Sequence, residues 1–414
     1  MNNLPSEIIF NILNYLENTV DVINFSLTCK NYNKIVYENK DQYNCLSTLN
    51  NEFIYEIDKI DIIGYFNIKI NNRNISDINN LNKCKGLYIY NSWITDLSKF
   101  VDIEYIELYN CYRLSDISML SKVKKIKLIC CNEISDINSL ENCEELYIYN
   151  NNKISDISKL GNVKKLVISG CNKINDVSIL GEIQDLVLSE CKGITDVSAL
   201  YKVKKLNLDQ STYITDVSML GNCEELSLYG CYRVRDVSNL GKVLYLNLSD
   251  CDITDVSMLN KCIELNLSHC QGITDVSMLG KIKKLNLSNC QGITDVNNLG
   301  NIEDLNLSEC QGISDLSALV NVKKLNINDC TNISDVSMLG NCEELDLYNC
   351  QGITDVSSLS KVKKLILSYC TNIYDVSMLG NCEYLDLTGC NRITDVSSLS
   401  KVKNLILSHC NINV

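Results

Sequence analysis

The chain has 414 residues, and its 38 basic and 51 acidic side chains give a formal net charge of −13. Such an acidic surface repels phosphate and argues against a general nucleic-acid-binding protein. Hydrophobic residues make up 45% of the chain, only one proline is present, and no apolar run approaches the roughly 20 residues of a membrane span. We therefore expect a folded chain without polyproline linkers or membrane segments.

The N-terminal residues 1–64 show the three- and four-residue spacing of apolar side chains that is typical of amphipathic helices. The spaced positions include Ile8, Ile9, Ile12, Leu13, Leu16, Val22, Ile23 and Leu27. Pro5 falls where the first helix would begin, a position that needs no backbone N–H. A small helical unit is predicted, and a plain cap for the structure that follows is one explanation of it.

A second explanation comes from the specific residue pattern of positions 2–43. They contain Leu4-Pro5-x-Glu7-Ile8, then Ile12-Leu13-x-Tyr15-Leu16, then Asp21-Val22-Ile23-x-Phe25-Ser26-Leu27-Thr28-Cys29-Lys30-x-Tyr32. This pattern resembles the F-box, although Thr28 and Tyr32 stand where that family usually has valine and tryptophan. The resemblance implies binding to the S-phase-kinase-associated adaptor of a cullin-RING ubiquitin ligase. Carried over, the adaptor-binding residues would be Leu4, Pro5, Ile8, Ile12, Leu13, Leu16 and Leu27.

From Asp77 to Asp395 an aspartate recurs 17 times at a spacing of 20, broken by two steps of 19. A well-formed unit reads Leu285-x-Leu287-x-x-Cys290-x-x-Ile293-Thr294-Asp295-Val296-x-x-Leu299-x-x-Ile302. The Leu-x-Leu period of two predicts a short strand, and the later period of three predicts tight helical turns. Burying seven such side chains yields roughly 10–20 kcal/mol, whereas ordering twenty residues costs roughly 20–40 kcal/mol. One unit alone cannot fold, so the units must stack.

The repeat is similar to the leucine-rich repeat family, as in Val362-x-x-Leu365-x-Leu367-x-x-Cys370. The run Cys290-Gln291-Gly292-Ile293-Thr294-Asp295 resembles its cysteine-containing subclass. These units are shorter than those of that subclass, which leaves room for short 3₁₀ turns instead of a full helix. The predicted fold is an α/β solenoid with a parallel concave sheet and 3₁₀ turns on the convex side. We predict a helical domain over residues 1–43, a connecting and capping segment over 44–66, and an array of 17 repeats plus a final strand over 67–414.

The 23 cysteines are odd in number, and residues 1–20 lack a basic leader, so we expect free thiols in a reducing compartment. Fourteen of them follow a strand at one repeat position, where Ser92, Asn151 and Ser211 substitute in other units. Six more precede a strand leucine by three residues. No Cys-x₂-Cys spacing occurs, so packing explains them better than a metal site.

Each repeated aspartate is followed two residues later by Ser or Asn, a pattern that predicts capping of the next turn rather than a calcium ladder. The only histidines, His269 and His409, lie 140 residues apart, and glycines do not form phosphate-binding loops. We therefore expect no enzyme active site, no metal and no cofactor.

Paired charges precede the strands and alternate in sign from one unit to the next, which predicts attraction between neighbouring strands and a fixed register. The pairs are Lys124-Lys125, Glu144-Glu145, Lys164-Lys165, Gln184-Asp185, Lys204-Lys205, Glu224-Glu225, and later Lys283-Lys284, Glu303-Asp304, Lys323-Lys324, Glu343-Glu344 and Lys363-Lys364. No divergent polar unit follows the last strand, so we expect that edge to fray or bind a partner.

Outward-facing strand positions suggest where a partner protein binds. Units between Leu246 and Leu307 present a uniform row of asparagine and serine, whereas the early units present Tyr88, Tyr90, Tyr105, Tyr109, Tyr147 and Tyr149. Tyrosine is enriched at interface hot spots, although β-propensity alone also favours it on strands. We predict a target site over the strands from Leu87 to Ile148.

The resemblances together imply a non-catalytic, cytoplasmic substrate-recognition subunit of a cullin-RING ubiquitin ligase. Its partners would be the S-phase-kinase-associated adaptor, the cullin scaffold and an unknown target protein. An alternative is a protein-interaction scaffold or virion-associated repeat protein whose N-terminal helices only cap the stack. The composition, rich in Asn, Ile, Lys and Tyr, resembles that of F-box and repeat proteins of giant DNA viruses, which would place the protein in the host cytoplasm.

Overall fold

The computed structural model describes residues 47–48, 67–71, 86–100 and 102–412. They belong to two compact units, residues 1–194 and residues 195–414. The predicted F-box residues 1–43 lie outside the described residues. In the described part, no helix has the length and apolar character needed to span a membrane.

Unit 1 contains a parallel sheet in which each strand pairs with the next one along the chain. Its strands are β1 (Ser47–Thr48), β2 (Asn67–Asn71), β3 (Gly86–Tyr90), β4 (Tyr105–Tyr109), β5 (Lys125–Ile129), β6 (Glu145–Tyr149), β7 (Lys165–Ser169) and β8 (Asp185–Ser189). The return segments form 3₁₀ helices at Ser118–Lys122, Asn138–Leu140, Leu160–Asn162 and Ser178–Glu182. Strand β1 lies in the predicted connecting segment and was not predicted.

Unit 2 continues the same pattern with shorter strands, again paired in parallel in chain order. They are β9 (Lys205–Asn207), β10 (Glu225–Ser227), β11 (Tyr245–Asn247), β12 (Glu264–Asn266), β13 (Lys284–Asn286), β14 (Asp304–Asn306), β15 (Lys324–Asn326), β16 (Glu344–Asp346), β17 (Lys364–Ile366), β18 (Tyr384–Asp386) and β19 (Asn404–Ile406). The 3₁₀ helices are Ser198–Leu200, Ser218–Asn222, Ser238–Leu240, Ser257–Leu259, Ser277–Leu279, Ser317–Leu319, Ser337–Asn341, Ser357–Leu359, Ser377–Leu379 and Ser397–Leu399. The predicted leucine-rich repeat solenoid with 3₁₀ turns is confirmed.

The core of each repeat consists of the apolar positions that the sequence singles out. In the unit that begins at Leu285, all seven named apolar and cysteine positions are at most 2% exposed. A tight turn precedes Leu299, whose N–H donates to Val296 O at 2.9 Å. The buried side chains therefore form one continuous row per repeat position within each unit.

The repeated aspartates cap the turns, as predicted. In all 16 described repeats, from Asp96 to Asp395, Oδ1 accepts the backbone N–H of the residue two positions later, at 2.7 to 2.9 Å. At Asp275 this bond lowers the pKa of the carboxyl group, because the ionised form accepts the hydrogen bond better. The caps fix the start of each 3₁₀ turn.

The ladder cysteines are free and mostly buried thiols that bond along the stack. The Sγ–H of Cys131 donates to Leu108 O at 3.4 Å. Asn151 replaces cysteine at this position in one repeat: its Nδ2 donates to Leu128 O at 3.1 Å, as the Cys131 thiol does to Leu108 O, and its Oδ1 also accepts the N–H of Cys131 at 2.7 Å. The polar substitute is tolerated in the core because both polar atoms of its amide are hydrogen-bonded.

Opposite charges on neighbouring strands are in contact, which confirms the predicted alternation. Lys125 Nζ lies 2.8 Å from Glu145, and Glu344 accepts Lys324 and Lys364 at 2.5 and 3.4 Å. These side chains are 39–51% exposed, so each pair contributes only about 0.2–1 kcal/mol. If the repeats paired one repeat out of register, all of these charge attractions would be lost together.

The last described repeat is less covered than the others. Leu405 and Leu407 are partly exposed, whereas the equivalent Leu385 and Leu387 are fully buried. Cys410, the final ladder residue, is also partly exposed. The apolar row thus reaches the surface at this edge, where fraying or partner binding stays a prediction.

Candidate protein-binding site

The parallel register of β3 to β6 places the predicted tyrosines in adjacent rows on the solvent-facing side of the sheet. Across the strands, one row reads Tyr88, Glu107, Lys127 and Tyr147, the next Tyr90, Tyr109, Ile129 and Tyr149, and a third Tyr105, Lys125 and Glu145. Alternate residues of these strands point into the core, so all three rows share one face. We call these eleven residues the tyrosine face.

Four of the six predicted tyrosines form two ring pairs. The ring centroids of Tyr88 and Tyr105 are 5.0 Å apart, and those of Tyr90 and Tyr109 are 5.8 Å apart. All six tyrosines are partly buried, because rings on strands about 4.8 Å apart cover one another. Tyr149 is separated from Tyr109 by Ile129, which continues the same row.

Glu107 is the centre of this arrangement and was not singled out from the sequence. It is 8% exposed, and its carboxylate accepts the hydroxyls of Tyr90 at 3.0 Å and Tyr105 at 2.7 Å. Lys127 Nζ lies 3.6 Å away and supplies the opposite charge. Burial, followed by the hydrogen bond to Glu107, raises the pKa of both tyrosines, so both hydroxyls stay protonated and donate. The carboxylate therefore holds two rings in fixed positions.

A second cluster surrounds Tyr147. Its hydroxyl donates to Glu145 at 2.9 Å, and its ring centroid lies 5.7 Å from Lys125 Nζ and 5.9 Å from Lys165 Nζ. Burial and the Glu145 bond raise the pKa of Tyr147 to about 12, while hydrogen bonds from Lys125 and Tyr147 lower the pKa of Glu145. This part of the face is polar and charged, whereas the row that contains Ile129 is mainly apolar.

The turns after β3 and β4 add two further residues that sequence reasoning missed. The Arg113 guanidinium lies 4.6 Å from the centroid of the Trp93 ring, and Trp93 is 41% exposed. Tryptophan and arginine are common hot-spot residues. Trp93 is the only tryptophan in the chain, a signal that could have drawn attention to this turn.

The asparagine side chains on the strands of unit 2 form local hydrogen bonds. Oδ1 of Asn266 accepts the N–H of Ser268 at 3.0 Å, and Asn286 and Asn306 repeat this contact. Ser268 is only 8% exposed, so it adds little to the hydroxyl surface expected there. This side of unit 2 offers fewer free polar groups than the sequence suggested.

The described ranges were also compared with the expected absence of a metal site. No group of three or more His, Cys, Asp or Glu side chains there is placed to hold a metal ion. Burial raises the pKa of Cys231, a ladder thiol, to about 12, which disfavours the nucleophilic thiolate there. Cys131 differs, because a hydrogen bond from the Cys111 side chain lowers its pKa. The predicted adaptor-binding residues, Leu4, Pro5, Ile8, Ile12, Leu13, Leu16 and Leu27, lie outside the described residues.

Two family models match parts of the chain. An F-box-like family model matches residues 1–43, and a leucine-rich repeat model matches residues 242–259. No curated protein matches the chain.

Similar solved structures include an internalin of Listeria monocytogenes, with 22% identity over 79% of this chain and 87% of that chain and a TM-score of 0.40. The functional domain of InlJ from the same organism, which includes a cysteine ladder, has 21% identity over 76% and 70% of the two chains and a TM-score of 0.49. A leucine-rich repeat protein of Leptospira interrogans has 16% identity over 88% and 98% and a TM-score of 0.48. The family matches and the repeat architecture together support an F-box and leucine-rich repeat protein.

Proposed function

We propose that this protein is the substrate-recognition subunit of an F-box-type cullin-RING ubiquitin ligase. The observation that carries the proposal is the F-box-like match over residues 1–43, which precedes the leucine-rich repeats in the same chain. Residues 1–43 would bind the S-phase-kinase-associated adaptor and, through it, the cullin scaffold. The protein would act without catalysis of its own, in the cytoplasm, or in the host cytoplasm if it is viral.

The tyrosine face is the proposed site for the target protein. Its rings combine a large contact area with few rotatable bonds, and Glu107 already holds Tyr90 and Tyr105 in place. Side chains ordered before binding lose less conformational entropy when a partner arrives. The apolar row through Ile129 would contact apolar groups of the target, and Lys127 and Glu145 would select its charges.

Adaptor binding is tested by co-precipitation of the full chain with the purified adaptor. Leu4→Ala combined with Pro5→Ala should abolish co-precipitation, because docking in this family is apolar and centred on the Leu-Pro start. Circular dichroism of the variant should match the wild type, since repeats contact only their neighbours. If the wild-type chain does not bind the adaptor, the ligase proposal fails and a scaffold role replaces it.

Target binding is tested by affinity capture followed by quantitative mass spectrometry. Tyr90→Ala with Tyr109→Ala and Tyr149→Ala should weaken capture by at least about 2 kcal/mol, or roughly thirtyfold. The matched control replaces Asn266, Asn286 and Asn306 with serine and should change little, because these side chains already bond locally. Equal losses from both sets, or loss from the asparagine set alone, would show that the target binds elsewhere.

A further inference from the structure

The 3₁₀ side of unit 2 carries exposed methionines at one repeat position. Met219, Met258 and Met278 are 49%, 57% and 52% exposed, and Met338 and Met378 occupy the same position in later repeats. An exposed thioether side chain gains from burial and adapts its shape to a partner. Met258 and Met278 lie in consecutive repeats, whereas Ser358 separates Met338 from Met378.

A groove of about 510 Å³ runs beside the first of these methionines, across the 3₁₀ helices Ser218–Asn222, Ser238–Leu240 and Ser257–Leu259. Met219 and Met258 line it together with Gly221 and Gly241. A Cβ at Gly241 would lie 2.5 Å from Met258 O, and one at Gly221 would lie 2.2 Å from Asn239 O. The two glycines therefore let successive turns approach closely at these positions.

Lysines border the groove on one side. Lys242 and Lys261 line it, and Lys281 follows at the same position of the next repeat. All three are exposed, and within the described residues none of them forms an ion pair with a carboxylate. Lysines on the sheet side, such as Lys284, alternate with acidic residues and pair with them. Three like charges in successive repeats without partners form a local positive strip on a protein of net charge −13.

We propose that this methionine–lysine groove binds an acidic amphipathic helix of a partner protein. Apolar side chains of the helix would contact Met219, Met258 and Met278, and its carboxylates would pair with Lys242, Lys261 and Lys281. The surface is distinct from the tyrosine face and would add a second binding site to the proposed function.

Helix geometry fits the spacing of the methionines. Repeats about 4.8 Å apart place Met258 about 10 Å and Met278 about 14 Å from Met219 along the stack. A helix that rises about 1.5 Å per residue places the residues at i+7 and i+11 about 10 and 16 Å from residue i, on one face. The flexible methionine side chains absorb the remaining difference. A membrane fits less well than a helix. An anionic lipid surface is much wider than the positive strip and would also face the acidic remainder of the protein.

The probe is a fluorescein-labelled peptide of about 18 residues with leucine at i, i+7 and i+11 and glutamate on the flanking positions. Fluorescence anisotropy with the full chain should give a Kd of about 100 μM or tighter, weakening as salt is added. Lys242→Gln with Lys261→Gln and Lys281→Gln should weaken binding about tenfold. A peptide of the same composition in scrambled order should bind at least about tenfold more weakly.

Methionine variants separate the groove from the rest of the row. Met219→Gln with Met258→Gln preserves side-chain size and should weaken binding about tenfold, whereas the matched pair Met338→Gln with Met378→Gln should leave it unchanged. In protein labelled with ¹³C at the methionine methyl groups, the signals of Met219, Met258 and Met278 should shift on peptide addition.

Three results would overturn the proposal. One is the absence of peptide binding up to about 1 mM. Another is equal affinity of the wild type and the three-lysine variant. The third is binding to phosphatidylglycerol vesicles without binding to the peptide, which would assign the strip to lipid. None of these three results depends on adaptor co-precipitation, so a failure of this proposal can be distinguished from a failure of the ligase proposal.

Discussion

Replacement of Asn151 by leucine tests whether the ladder is held by hydrogen bonds or only by burial. Asn151 is fully buried, and its amide contacts three backbone groups. Its Oδ1 accepts the Cys131 N–H at 2.7 Å, and its Nδ2 donates to Leu128 O at 3.1 Å and to Tyr149 O at 2.9 Å. Leucine is similar in size but makes none of these bonds.

The expected cost follows from these contacts. A buried N–H left without an acceptor costs about 1–3 kcal/mol, and each of the two lost donor bonds costs about 0.5–1.5 kcal/mol. The greater hydrophobicity of leucine offsets about 1 kcal/mol of this sum. The net destabilisation is about 3 kcal/mol, which increases the population of the locally open state by roughly 150-fold.

Hydrogen exchange with mass spectrometry measures this change, because solenoid repeats open locally. Amides of β5 and β6 should exchange roughly 150-fold faster in Asn151→Leu. The control Asn151→Cys restores the residue found on the adjacent rungs and should change exchange by less than about tenfold. If leucine and cysteine gave the same exchange rates, the hydrogen bonds of Asn151 would not stabilise the ladder.

Three further outcomes are expected. The pKa of capping residues such as Asp275 is lowered in the folded state, so their contribution to stability is fully present above the ordinary pKa of 3.8 and is lost as pH falls through the lowered pKa. The circular dichroism signal of the sheet should therefore hold down to about pH 5. An unfolding transition that is complete above that pH would contradict this. Iodoacetamide at about pH 8 should label partly exposed Cys130 before buried Cys131, as read by peptide mapping, and the reverse order would be inconsistent with the packing. Hydrogen exchange in unit 2 should be fastest from about residue 385 onward, where Leu405 and Leu407 are partly exposed; uniform protection there in a monomer would refute this.

Much of the fold could be predicted because every repeat has the same spacing of apolar, capping and charged residues. The seven buried positions of the unit starting at Leu285, the cap at Asp275 and the sign of each charged rung all follow from period and residue type. Strand β1 could not be predicted, since its two residues carry no repeat and no alternation. A strand of that length is defined by the edge it pairs with.

The tyrosine face was predictable in position but not in organisation. Alternation places Tyr88, Tyr90 and Tyr105 outward, and the repeat length places them on neighbouring strands. That Glu107 would be buried beneath two hydroxyls depends on ring orientation, which no spacing rule gives. Aligning outward residues row by row would have placed Glu107 between tyrosines and Lys127, and this is the signal that was available.

Because the charged strand positions alternate in sign, the effect of deleting repeats depends on whether their number is odd or even. In unit 2, deletion of the single repeat that carries Lys324 would bring Asp304 beside Glu344, whereas deletion of the following repeat as well would bring Asp304 beside Lys364. An odd change in repeat number therefore sets like charges together, and an even change does not. Glu225 and Glu264 carry the same charge two strands apart, so the alternation stays in phase across the uncharged Tyr245 that lies between them. A gene of this kind therefore gains or loses length most readily in blocks of two repeats.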